Sequence, residues 1–171
     1  MKTWLFTFVL LLITSSGFAQ QAQTRCQSNP QYRQFDFWIG EWEVKNNQDQ
    51  VVGQSRIELI LGECVIFENW TGGTGTYTGK SFNYYSVIDG KWHQKWIDNQ
   101  GIPIEFVGTY DADAKTMNYT GEGVGQGGVK LMYKLTFYHL ADDHVRQHWE
   151  ASTDEGKTWA TSFDGHYWKK K

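Results

Sequence analysis

The chain has 171 residues, a formal charge of −3 and an aromatic content of 16% that includes nine tryptophans. The mild acidity argues against a nucleic-acid partner, since the only basic cluster is the terminal Lys169-Lys170-Lys171, which reads as a solvated tail. A chain of this size buries roughly two-thirds of the surface that its unfolded form exposes, enough for one domain.

The N-terminus reads as a secretory leader. Lys2 supplies the positive charge, Trp4 to Ile13 is apolar except for Thr7, and Gly17-Phe18-Ala19 offers small residues at both cleavage-defining positions. Cleavage is expected after Ala19, giving a periplasmic or secreted protein. The apolar run falls well short of the ~20 residues that span a bilayer, so no membrane span is expected. Residues 20–31 are polar and read as a flexible arm. Cys26 and Cys64 either form a disulfide that pins this arm to the domain, or stay as free thiols with Cys64 packed as a small hydrophobe.

The domain proper spans 32–171. Apolar residues at 32, 35, 38 and 39 suit a short helical turn that closes one end of a barrel. From Glu41 the period changes to two. Strands are predicted near 41–46, 51–60, 64–70, 80–88, 91–98, 102–110, 115–121, 129–139, 144–152 and 157–168. Between them lie turn residues such as Asn46-Asn47-Gln48-Asp49, Asn99-Gln100-Gly101 and Ala141-Asp142-Asp143. Asp89-Gly90 is predicted as a two-residue type I′ hairpin turn. Pro103 fits a strand start. Short strands in succession imply sequential antiparallel pairing, and closing the sheet removes its exposed edges. The expected fold is all-β, a single closed antiparallel barrel of about eight to ten strands with a two-sheet sandwich as the competitor.

Gly40-Glu41-Trp42 opens the first strand. With Phe35 to Trp42, Gly90 to Asp98, Val145-Arg146-Gln147 and Ser152 to Tyr167, it resembles the lipocalins. It is more similar still to a family of secreted bacterial proteins with a lipocalin-like, calycin-type domain of unknown function. The resemblance covers nearly the whole mature chain. It implies that Trp42 plugs the closed end of the barrel and that Arg146 is a candidate to stack on it, a cation–π contact of about 0.5–2 kcal/mol. Ser152-Thr153-Asp154-Glu155-Gly156-Lys157-Thr158-Trp159 is similar to the Asp-box of sialidase-type propellers. Here it occurs once and implies a hairpin staple built from Asp154, Gly156 and Trp159. Haem is a possible cofactor only through a faint similarity of His166 to the axial histidine of nitrobindin-type barrels.

Chemistry-bearing residues are sparse. Gly79-Lys80-Ser81 misses the phosphate-loop spacing and joins two strands, so it lacks the helix N-terminus that binds phosphate. His144, Arg146, His148 and Glu150 share one strand face that reads as solvated, and no metal site is expected. The stronger signal is a set of faces that are aromatic but not wholly apolar. Trp92, Gln94, Trp96 and Asp98 alternate on one strand. Gln147 and Trp149 alternate on another, Glu68 and Trp70 on a third, and Phe82, Tyr84 and Ser86 on a fourth. A mostly aromatic pocket with a few convergent polar groups describes a small-molecule site. The candidate ligand-binding residues are therefore Glu68, Trp70, Tyr84, Trp92, Gln94, Trp96, Gln147 and Trp149. Two alternatives stand beside this reading. The aromatics can fill the barrel as solid core, and β alternation can instead put Val65, Phe67 and Asn69 inside in place of Glu68. The functional expectation is an exported barrel carrying a largely apolar or aromatic ligand without covalent chemistry. Its rivals are a small acid/base enzyme using Glu68 or Asp98, a haem-binding barrel, and an envelope interaction module without ligand. Oligomeric state is not legible.

Overall fold

A computed structural model describes residues 23–171. The predicted leader and its cleavage point lie outside the described residues. Ten strands run through these residues: β1 (Gly40–Lys45), β2 (Val51–Ile60), β3 (Val65–Gly72), β4 (Thr78–Ser86), β5 (Lys91–Asp98), β6 (Pro103–Asp111), β7 (Thr116–Val124), β8 (Lys130–Ala141), β9 (His144–Ser152) and β10 (Ala160–Lys169). Each pairs antiparallel with its sequence neighbours, and β1 also pairs with β10, with Trp42 opposite Lys169 and Val44 opposite Tyr167. The sheet is therefore a closed barrel of calycin-like type and not a sandwich. Closure gives every strand two partners, so no backbone edge is left open.

Side chains alternate across the wall as a period of two requires. Trp42 and Val44 on β1 are buried, as are Ile66, Glu68 and Trp70 on β3 and Phe106 on β6. Leu135 and Phe137 on β8, Val145 on β9 and Tyr167 on β10 complete this inward set. The predicted strand boundaries agree with the observed ones to within a few residues.

One end of the barrel is sealed by the segment ahead of β1. Two short 3-10 turns, Pro30–Arg33 and Asp36–Trp38, carry Tyr32, Phe35 and Trp38 inward at the predicted spacing. Phe35 stacks on Trp38 at 5.0 Å between centroids and meets Trp92 and Phe137 edge-on at 5.8 and 5.0 Å. Such pairs contribute about 0.5–1.5 kcal/mol each beyond the area they bury. Trp42 lies beneath this layer, fully buried, and donates its indole N–H to the Trp38 carbonyl at 2.9 Å. Gly40 is required here: its φ is +146°, and a Cβ would lie 2.9 Å from Cε of Lys169. That lysine crosses the plug with its ammonium 5.5 Å from the Trp42 ring.

Arg146 does not stack on Trp42. Val145 faces the core, so alternation turns Arg146 to the outer wall. There its Nε and one terminal nitrogen each donate to Asp164 at 2.8 Å, and the guanidinium sits over Tyr138. Lys169 supplies the cation over the plug instead.

The described part of the segment read as a flexible arm is tied to the barrel. Helix α1 (Arg25–Ser28) opens with a capping box in which Thr24 and Gln27 satisfy each other's backbone N–H. Cys26 on α1 is bonded to Cys64 between β2 and β3. Around that disulfide, Thr24 donates to the Gly62 carbonyl at 2.7 Å and Arg33 bonds Glu63 at 3.1 Å.

The 87–90 connection is a four-residue loop that closes on the Ser86–Lys91 pair, not a two-residue type I′ turn. Only Gly90 of the Asp89-Gly90 pair has positive φ, at 68°, whereas type I′ needs two such residues. Asp89 spends its carboxylate on the Lys91 N–H and on His93. The segment similar to an Asp-box forms the turn between β9 and β10. Asp154 accepts from the Thr158 N–H and hydroxyl at 2.9 and 2.7 Å, which holds its carboxyl down at about 2. Trp159 donates its indole N–H to Gly156 O at 3.0 Å, with Lys134 4.0 Å above the ring.

Replacing Phe35 with Ala should remove the centre of the end plug. A loss of about 3–5 kcal/mol is expected in urea unfolding, the range for deleting a fully buried phenyl ring.

Candidate ligand-binding site

The sealed end leaves volume at the other. A cavity of about 780 Å³ occupies the half of the barrel away from the Phe35–Trp38 plug, opening near residues 72–74 and Tyr77. That size lies within the ~300–1,000 Å³ typical of small-molecule sites. The aromatics therefore do not fill the interior.

The wall of the cavity is mainly aromatic, with Trp70, Trp96, Phe106, Trp149 and Phe163 around it. Two indoles lie flat because the neighbouring strand carries glycine. A Cβ on Gly79 would overlap the Trp96 ring, and one on Gly53 would come 2.5 Å from the Trp70 ring. These glycines let the rings cover the backbone instead of projecting across the void.

Polar groups enter at three places. Glu68 is 4% exposed. Its Oε1 accepts from the Ser55 hydroxyl at 3.1 Å and its Oε2 from the Ser81 hydroxyl at 2.8 Å. These serines reach it because β3 lies between β2 and β4, with Glu68 paired opposite Ile57 and Ser81. The network continues across β4 to β5: Asn83 donates to Ser81 at 2.9 Å and to the Ile66 carbonyl at 3.1 Å, and Gln94 donates to Asn83 at 2.6 Å. On the opposite wall Gln147 accepts from the Tyr167 hydroxyl. The Trp149 indole N–H is buried without a hydrogen-bond partner among the described residues.

Burial pushes the Glu68 carboxyl up from 4.5 to about 7, against the opposing pull of the Ser81 and Ser55 hydrogen bonds. Tyr77, which donates to Asp98 at the mouth, is pushed up to about 12, chiefly by burial and then by the Asp98 charge. Burial also raises Tyr167, with the Glu68 charge acting in the same direction. Both phenols are thus neutral across the physiological range.

Of the residues singled out from the sequence, Glu68, Trp70, Gln94, Trp96, Gln147 and Trp149 line this cavity. The Ile66, Glu68, Trp70 face of β3 is the inner one, so the alternative set Val65, Phe67, Asn69 faces outward. Two expectations are corrected. Trp92 is inside the barrel but at the sealed end, where its N–H bonds Gln34 at 3.0 Å. Tyr84 is on the outer wall, 40% exposed and stacked on His93 at 5.3 Å. On β4 the inward positions are Ser81, Asn83 and Tyr85, while Phe82 is 44% exposed. The polar network needs Ser81 and Asn83 inside, and this outweighs the apolar preference of Phe82 and Tyr84.

His166 also faces out, between the inward Gly165 and Tyr167. It bonds His144 at 2.9 Å and Asn47 at 3.2 Å and does not line the cavity. Asp98 sits at the mouth, capping the Gln100 and Ile102 N–H groups as well as binding Tyr77. Among the described residues, no group of three or more His, Cys, Asp or Glu is placed to hold a metal ion, and no helix is long and apolar enough to cross a membrane.

Sequence reasoning missed Ser55, Ser81 and Asn83, because strand register decides which hydroxyls meet Glu68. It also missed Phe106, Phe163 and Tyr167 as wall residues, although each sits on an inward position of its strand.

No protein-family model matches the chain, and no curated protein matches it. Fold and site together define the class: a closed ten-stranded antiparallel barrel, sealed at one end, with an internal cavity suited to an apolar or aromatic ligand.

The raised Glu68 carboxyl ties stability to pH. Between pH 4.5 and about 7 the unfolded chain releases this proton while the folded chain keeps it. Stability contributed by this group therefore falls as pH rises through that window and stays low above it. Relative to the parent, Glu68→Gln should gain up to about 3 kcal/mol at pH 8 and nothing from this source at pH 4, read by paired urea melts.

Proposed function

We propose that the protein is an exported, lipocalin-like binding protein that carries a small, largely apolar or aromatic ligand in its barrel without covalent chemistry. The observation that carries this reading is the coincidence of a cavity of about 780 Å³ with a predominantly aromatic wall and a few organised polar groups at its inner end. Trp70, Trp96 and Trp149 supply apolar contact, while Glu68, Gln94 and Gln147 set orientation. Export is supported by the leader-like N-terminus and by the Cys26–Cys64 disulfide, a bond favoured in oxidising compartments. Kinship with the lipocalin-like bacterial family rests on the Gly40-x-Trp42 opening and the end-plug role of Trp42.

The neutral aromatic probe N-phenyl-1-naphthylamine tests the binding reading. It should quench the intrinsic tryptophan fluorescence saturably, and Trp96→Ala should weaken its binding by about tenfold, equivalent to ~1.4 kcal/mol. Unchanged affinity in both Trp96→Ala and Gln94→Ala, with the fold intact, would remove this site assignment. Mature protein recovered from its native host should begin at Gln20; a retained Met1 would reject export by leader cleavage.

A second reading, a small proton-transfer enzyme, draws on one observation: a carboxyl poised at about 7 can donate or accept a proton near neutrality. Asp98, the other carboxylate considered for that role, is committed to loop capping at the mouth. Turnover of a carbonyl substrate that vanished in Glu68→Gln would promote this reading over the first.

A further inference from the structure

We infer that the ligand is an organic cation, a hydrophobic amine whose ammonium group is held by Glu68 while its apolar body lies against Trp70 and Trp96. This deepens the binding reading above and rests on it.

The first support is the charge inventory. Glu68 is the one carboxylate on the cavity wall, and no Lys, Arg or His lines the cavity among the described residues. An anionic ligand would meet a carboxylate with no compensating cation. A neutral hydrocarbon would leave the buried acid and its hydrogen-bonded chain without purpose.

The second is the direction of the hydrogen bonds. Gln94 N–H donates to Asn83, Asn83 N–H to Ser81, and the Ser81 hydroxyl to Glu68; Ser55 donates to the other Glu68 oxygen from the opposite neighbour strand. Every link presents its donor toward the acid. Aligned links polarise one another, so the chain prepares Glu68 as an acceptor. An ammonium supplies the donors and the opposite charge that such an acceptor lacks. The Gln94 carbonyl oxygen, which takes no hydrogen bond among the described residues, is a second acceptor in the same wall.

The third is the surrounding surface. Trp70 lies two residues along β3 from Glu68, and Trp96 pairs opposite Ser81, the donor to Glu68. Indole faces attract a desolvated cation more strongly than the other aromatic side chains do.

The titratable groups that face Glu68 agree with this assignment. Tyr167 from β10 and Tyr77 from the mouth are both neutral, and neither offers a positive charge. With no cation bound, burial keeps the Glu68 proton on to about pH 7. An arriving ammonium favours the carboxylate, so binding below that pH should release the proton to buffer.

Three probes with one aromatic body test this on the full mature chain: 2-(2-naphthyl)ethylamine, neutral 2-ethylnaphthalene and anionic 2-naphthylacetate, each followed by tryptophan quenching. The amine should bind about tenfold or more tighter than the neutral probe, and the acetate weakest. Glu68→Gln should remove the amine's advantage, so that in the variant the affinities of the amine and the neutral probe fall within about twofold of each other. Calorimetry of the unaltered protein near pH 6, in two buffers of different ionisation enthalpy, should show proton release on amine binding, a readout that does not depend on the variant folding. Amine and neutral probe binding equally, or amine binding without proton release, would overturn the cation assignment while leaving the small-molecule reading intact. Binding of none of the three would overturn both.

Discussion

Closure of the sheet by pairing β1 with both β2 and β10 is the constraint from which the rest of the molecule follows. Once each strand has two hydrogen-bonded neighbours, alternation allows one set of side chains inside and sends the other to solvent. That rule places Glu68, Gln94 and Gln147 in the interior with the tryptophans, and it turns Arg146 and His166 out. It also leaves two open ends, which the chain treats differently. The segment before β1 delivers Phe35, Trp38 and the Trp42 indole as a packed plug at one end. At the other, Gly53 and Gly79 let Trp70 and Trp96 lie against the wall, so space remains.

The interior is a compromise between packing and polarity. A buried carboxyl without a charged partner is costly, and the raised Glu68 ionisation records that cost. Hydrogen bonds from Ser55 and Ser81 offset part of it, and the chain through Asn83 to Gln94 fixes the geometry. An acid at this position, in a cavity lined mainly by aromatic and aliphatic residues, is the feature on which the cation proposal rests.

Much of this was legible in the residues. The strands from 51–60 and 144–152 were readable from period-two alternation and turn residues alone, because both signals are local. The spacing of Tyr32, Phe35 and Trp38 announced the end plug. Six of eight site candidates face one cavity, since an aromatic alternating with a polar residue on an inward face is rare in a solid core. Tyr84 was misplaced because Ser-Phe-Asn-Tyr-Tyr-Ser permits either phase, and the polar demand of Glu68 chose the less apolar one. Asp89-Gly90 misled because its turn chemistry serves a longer loop equally well.

By itself, the order of residues determined an all-β chain of about eight to ten strands, their approximate limits and most of the inward aromatic positions, with Glu68 as a candidate acid among them. Only tertiary structure decided that the wall closes, that a cavity of about 780 Å³ lies inside it, that Lys169 and not Arg146 covers Trp42, and which hydroxyls hold Glu68. The reason is that alternation and turn preference act within a few residues of sequence. Closure, register and cavity volume depend instead on which distant strands meet, and at what offset.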